Sequence, residues 1–109
     1  MSLVTSSAST NNHNLYFSKD ELAKILNIYS QGVSSGEWKD YAIDFDKNNA
    51  FFYIFKHSLA SPECILNKTL ERKKRKIFYK LKSKNQSKKF ENLDQLLSSL
   101  NRKILKLIN

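Results

Sequence analysis

The apolar residues of this chain change their spacing sharply near Gly36, and that change constrains the fold more than any other feature of the sequence. Before it, Leu22, Ile25, Leu26, Tyr29 and Val33 recur every three or four positions, which is the period of one face of a helix. After it, Tyr41, Ile43 and Phe45 alternate with Ala42, Asp44 and Asp46, which is the period of a strand. The helix also carries its own start signal. Ser18 followed by Glu21 forms a capping box, in which each side chain satisfies a backbone N–H that the helix leaves unpaired. Phe17 just before the cap staples onto Leu22. Gly36 is the expected left-handed stop, with Gly32 as an earlier alternative.

Three further strand-like segments follow. Lys47-Asn48-Asn49 reads as a turn, and Ala50 to Lys56 is apolar on both faces, as an interior hairpin strand requires. His57 to Pro62 is a loop, Glu63 to Leu70 a third strand, and Glu71 to Arg75 a basic turn. Lys76 to Ser83 is a fourth strand, turning Ile77, Tyr79 and Leu81 one way and Phe78, Lys80 and Lys82 the other. Lys84 to Lys89 reads as a polar basic loop. Asn92 then caps a last helix carrying Leu93, Leu96, Leu97, Leu100, Ile104 and Leu107, with 103–108 left open between helix and strand. The expected fold is therefore α+β: an N-terminal helix, a four-stranded antiparallel meander and a C-terminal helix, in two layers. Both helices cover one face of the sheet, and the other is half open to solvent.

A chain of 109 residues with 40% hydrophobic side chains supports one core. A single domain is expected over 16–109. Residues 1–15, rich in Ser, Thr and Asn, read as a flexible arm without a secretory pattern, so a cytoplasmic protein is expected. A membrane-spanning helix needs roughly 20 apolar residues in a row. No apolar run here approaches that length, so membrane insertion is not expected. Cys64 is the one cysteine, which excludes an internal disulfide; its alternating context predicts a buried thiol.

One string is distinctive. Glu21-Leu22, Ile25-Leu26, Tyr29 and Gly32, followed by Gly36-Glu37-Trp38-Lys39-Asp40-Tyr41-Ala42-Ile43-Asp44, resembles a family of short alphaproteobacterial proteins named only as a domain of unknown function. The resemblance covers Tyr16 to about Ile108. Where members carry a glycine-containing turn before the last helix, this chain has Ser87-Lys88-Lys89-Phe90. The resemblance implies a single domain and brings no activity.

Catalytic chemistry is not legible. His13 and His57 have no partners at metal-ligand spacing, and neither a nucleophile elbow nor a phosphate-cradling glycine loop is present. Asp44-Phe45-Asp46-Lys47-Asn48 opens like a calcium loop, but Asn49 stands where glycine is needed and Phe55 where a bidentate glutamate is needed. Asp44 and Asp46 are instead expected to meet lysines across the sheet. The reading is a non-enzymatic binding domain without cofactor or metal.

Charge speaks to partners. Residues 1–62 hold five Lys/Arg against six Asp/Glu, whereas 63–109 hold fourteen against four. Arg72, Lys73, Lys74, Arg75 and Lys76 cluster in one turn; Lys80, Lys82 and Lys84 continue along a strand, and Lys88 and Lys89 follow. With Phe78 among them, this stripe suits phosphates plus a stacked base, so sequence-tolerant binding of RNA or single strands is one reading. The plain alternative is a solvated strand face in a lysine-rich proteome. A second functional reading is a protein-interaction module working through Glu37, Trp38, Asp40 and Tyr41, or through the aromatic strand Phe51 to Phe55. Against it stands a structural corner, in which Trp38 packs under the turn and the carboxylates bind backbone amides. Docking on anionic lipid through the same lysines is a third.

Overall fold

A computed structural model describes residues 14–57 and 61–108, with side chains through Ile104. Helix α1 spans Lys19–Ser34, strands β1 to β5 span Asp40–Phe45, Asn49–Phe55, Cys64–Glu71, Lys76–Ser83 and Gln86–Phe90, and helix α2 spans Leu93–Ile108. The strands form one antiparallel sheet in the order β1-β2-β3-β4-β5.

The local signals at α1 hold. Ser18 Oγ accepts the Glu21 N–H at 3.1 Å, and Glu21 Oε1 accepts the Ser18 N–H at 2.8 Å. The helix runs through Gly32 and ends before Gly36, which lies at φ 83°. That is the left-handed region open to glycine. Gly32 has a different reason. A Cβ there would lie 2.1 Å from Trp38 Cε3, so glycine makes room for the indole. The Glu37 and Trp38 amides both donate to the Gly32 carbonyl, at 2.9 and 3.2 Å, and hold the corner. Val33 is one residue past Gly32, about 100° round the helix from the face on the indole, and it is 43% exposed, contrary to its place in the expected stripe.

Two further expectations change. The sheet has five strands, because Lys84 to Lys89 is a hairpin and not a loop. Lys84 takes φ 52° in a two-residue turn, and β5 then pairs with β4 from Ser83↔Gln86 to Tyr79↔Phe90. Its sequence hides this. Phe90 is the one apolar residue of Gln86–Phe90. An edge strand held by main-chain bonds therefore shows no hydrophobic alternation. The open choice at 103–108 resolves as helix. Asn92 caps α2 as expected, its Oδ1 accepting the Gln95 N–H at 2.9 Å.

Cross-strand register fixes the two faces. Ile43–Phe52–Leu66–Leu81–Lys88 and Tyr41–Ile54–Cys64–Ser83–Gln86 are rows on the helix side. Phe52, Ile54, Cys64, Leu66 and Leu81 form the core with Ile25 of α1, Trp38, and Leu93, Leu96, Leu97, Leu100 and Ile104 of α2. Both helices therefore bury their stripes on this one face. Lys24 Nζ to Asp94 Oδ1, 3.0 Å, joins them at the surface. Leu107 lies outside the described side chains. Most of the expected arm, with His13, lies outside the described residues. Its end is tied down, since the Leu15 N–H donates to the Asp46 carbonyl at 2.8 Å.

Candidate nucleic-acid interface

Among the described residues, the other face of the sheet carries no helix. Its rows read Asp44–Phe51–Asn67–Lys80–Lys89 and Ala42–Tyr53–Ile65–Lys82–Ser87. Crossing the face from β1 to β5 thus passes from carboxylates, through aromatic rings, to lysines. Asp40 and Phe55 pair at one end of it, and Lys76 pairs with Glu71 at the other. Neighbouring strands lie about 4.8 Å apart, so the ring row on β2 and the lysine row on β4 are separated by about 10 Å.

The basic residues of the expected stripe fall in four places. Lys76, Lys80, Lys82 and Lys89 stand on the open face, and all are exposed. Arg72, Lys73, Lys74 and Arg75 occupy the β3–β4 turn, which ends with Arg75 at φ 50° and leans on the β1–β2 turn through Arg72 Nε to Asn48 Oδ1, 2.6 Å. Lys84 sits in the turn at the opposite end, and Lys88 points to the helix side. Lys74 meets Glu71 at 3.8 Å and Lys76 meets Glu91 at 3.7 Å. Among the described residues, no carboxylate lies within 4.0 Å of the Lys80, Lys82 or Lys89 ammonium.

Phe78 does not offer a free ring. It is 7% exposed, with Lys89 Nζ 3.8 Å and Lys76 Nζ 5.3 Å from its centroid. The lysine stems cover it, and the ring face holds their ammonium groups in place. The rings left partly open are Phe51, Tyr53 and Phe55 on β2. Phe51 and Tyr53 lie 20° from parallel with centroids 5.7 Å apart. Burial, and then the nearby Asp44 charge, push the Tyr53 phenol above its usual range, so it is a neutral ring.

The Trp38 corner is different in kind. Trp38 is 4% exposed and lies nearly parallel to Tyr29, 14° apart at 6.2 Å. It is part of the core and not a presented anchor. Glu37 approaches Lys56 at 4.0 Å. Among the described residues, neither Asp40 nor Asp44 has a lysine ammonium within 4.0 Å; Asp40 Oδ1 accepts the Tyr41 N–H and Asp44 Oδ1 the Phe45 N–H, both at 2.8 Å. Asp46 likewise accepts the Asn48 N–H at 2.8 Å, and this bond outweighs burial to lower its pKa. The lysine partners expected for Asp44 and Asp46 are thus replaced by main-chain amides. β1 is an edge strand, and these carboxylates cover the amides that such an edge leaves bare. Tyr41, Ile43 and Phe45, on its helix side, are 41%, 44% and 40% exposed.

One polar cluster was missed in the sequence. Lys68 is buried in the row Phe45–Ala50–Lys68–Tyr79–Phe90, beneath α1. Its Nζ reaches Glu21 Oε1 at 2.7 Å and the Tyr16 carbonyl at 2.9 Å, while the Tyr79 hydroxyl donates to Glu21 Oε2. Burial raises the Glu21 pKa, but the bonds from Lys68, Tyr79 and the Ser18 amide outweigh it, and the net shift is downward. Tyr79 is pushed up, first by burial and then by Glu21. The signal was present: Cys64, Leu66 and Lys68 alternate, so Lys68 falls on the core face and needs a partner. Lys68 is thus unavailable to the basic surface.

Residues 15–97 match the family described as Protein of unknown function (DUF2794). The chain belongs to this family. The match takes in α1, the whole sheet and the first turn of α2, so every basic residue of the open face lies inside the DUF2794 unit. Comparison with curated proteins and with solved structures finds no match. No helix among the described residues is long and apolar enough to cross a membrane.

Proposed function

We propose that this DUF2794 domain is a non-enzymatic, sequence-tolerant nucleic-acid-binding module, and that it binds through the uncovered face of its sheet. One observation carries the reading: the register sets Lys80, Lys82 and Lys89 together on a face that no helix covers, without carboxylate partners among the described residues. The turn cations Arg72 to Arg75 extend the same positive field at one end.

The expected salt dependence follows from the geometry. If the four open-face lysines each neutralise one phosphate, log K falls with log salt on a slope of about −3 for a single strand. Ten independent cations would give about −7. Fluorescence anisotropy with mixed-sequence RNA and DNA measures the slope. Lys80→Glu with Lys82→Glu weakens binding to every sequence alike. Failure of the purified protein to bind either nucleic acid at low salt sinks the reading, as does binding to anionic vesicles alone.

A further inference from the structure

Resting on that reading, we infer that Phe51, Tyr53 and Phe55 are base-stacking positions, and that the face accepts single strands in preference to duplex. Three observations on the open face converge. First, the rings and the lysines share rows, Phe51 with Lys80 and Tyr53 with Lys82. Two strand spacings across β3 set them about 10 Å apart. A nucleotide with its phosphate on the lysine strands can therefore lay its base toward β2. Second, β3 between them presents Ile65 and Asn67, and Asn67 Nδ2 is already turned to the main chain at Ala50 and Lys68, 3.2 Å each. The path from phosphate to ring thus crosses no carboxylate. Third, Asp40 and Asp44 stand beyond the rings on β1. Their charge repels phosphate, so the backbone keeps to the β4–β5 side and the bases point toward β1. Phe78 plays another part: its ring holds the Lys89 ammonium over the phosphate track.

A duplex cannot use the rings, because its bases are paired and stacked inside. Aromatic platforms of this kind are tolerant of sequence, since every base has a π-face. The inference therefore predicts discrimination by strandedness and not by sequence.

The test is anisotropy with a fluorescein-labelled 12-nucleotide RNA and a hairpin of equal phosphate number whose loop residues are abasic, so that it offers no unpaired base, at one low salt concentration. The single strand should bind roughly tenfold tighter or more. Phe51→Val with Tyr53→Val keeps β-branched strand formers on the face, and circular dichroism checks the fold. This variant should lose roughly tenfold toward the single strand and nothing toward the hairpin. Equal affinity for both RNAs, with the valine variant unchanged, overturns the base seat. Loss on Lys80→Glu/Lys82→Glu in that same experiment leaves the phosphate reading standing, so the two failures are distinguishable. Should the valine variant unfold, ultraviolet crosslinking of wild-type protein decides. Adducts on the β2 peptide support the seat, and adducts confined to Arg72–Lys89 overturn it.

Discussion

Gly32→Ala sets two effects of opposite sign against each other. Glycine inside a helix is about 1 kcal/mol worse than alanine, so helix propensity alone predicts stabilisation by that amount. The corner predicts the reverse. The new Cβ would stand 2.1 Å from Trp38 Cε3, 2.6 Å from Cδ2 and 2.7 Å from Cζ3, all atoms of a rigid, buried ring. Relief requires moving the indole, which is packed beside Tyr29 and held by two main-chain bonds to the Gly32 carbonyl. Overpacking of a core costs about 1–3 kcal/mol, and a clash this deep belongs at the upper end. Set against the gain in propensity, the net is a loss of about 2 kcal/mol. With an m-value near the middle of the usual range for urea, the unfolding midpoint falls by about 1 M at unchanged m. The control is the same substitution in a Trp38→Leu background, where the ring is gone and Gly32→Ala should recover the stabilisation of about 1 kcal/mol. A variant as stable as the parent with Trp38 in place, or the same change in both backgrounds, refutes the packing account of Gly32.

Three further outcomes follow from the polar contacts. Glu21 is held below its usual pKa of 4.5. Its contribution is therefore full above that value and fades as pH falls through the lowered one. Glu21→Gln should cost about 1–3 kcal/mol at neutral pH, and urea titrations into the acid range should show that gap closing; a constant gap refutes the linkage. Tyr79 is shifted upward from the usual 10.0. Its neutral phenol stabilises the fold below that pH, and the gain is lost only as pH rises through the raised value. In the absorbance titration Tyr79 should be the last tyrosine to ionise, after Tyr29 and Tyr53, which are also shifted upward; Tyr79→Phe should remove that last phase, and its survival in the variant refutes the assignment. Asp40→Ala with Asp44→Ala uncovers the Tyr41 and Phe45 amides. Each lost hydrogen bond removes about 1 kcal/mol. Hydrogen exchange at those two amides should accelerate, and unchanged protection refutes the edge-covering role.

What could be read in the sequence was what depends on local pattern. The capping box at Ser18, the stop at Gly36 and the face alternation of Lys76–Ser83 are set by residues a few positions apart, and each stands in the structure. Three features depend on distant partners and were not legible. β5 has almost no apolar residues, and its existence rests on main-chain bonds to β4. The fit of Gly32 to Trp38 requires knowing that the chain folds back over the end of the helix. Phe78 reads as an open ring in the sequence, yet Lys76 and Lys89 cover it, and Lys89 arrives only because β5 pairs there. The candidate site was half visible for the same reason: the lysines of β4 were placed by alternation, whereas their alignment with the β2 rings is a matter of register.

The distinctive string and the binding face separate on physical grounds. Gly32 and Gly36 shape the end of α1, Trp38 fills the core, and Asp40 and Asp44 cover edge amides, so the string is accounted for by packing and edge protection. None of these roles needs a ligand. Substitution in the string should then act on stability or solubility first, and on binding only through the fold. The exceptions are Asp40, which pairs with Phe55, and Asp44, which shares a row with Phe51 and Lys80. On the proposed reading these edge-protecting residues also set the sign of the field beyond the rings, and would tie the architecture of β1 to the orientation of a bound strand.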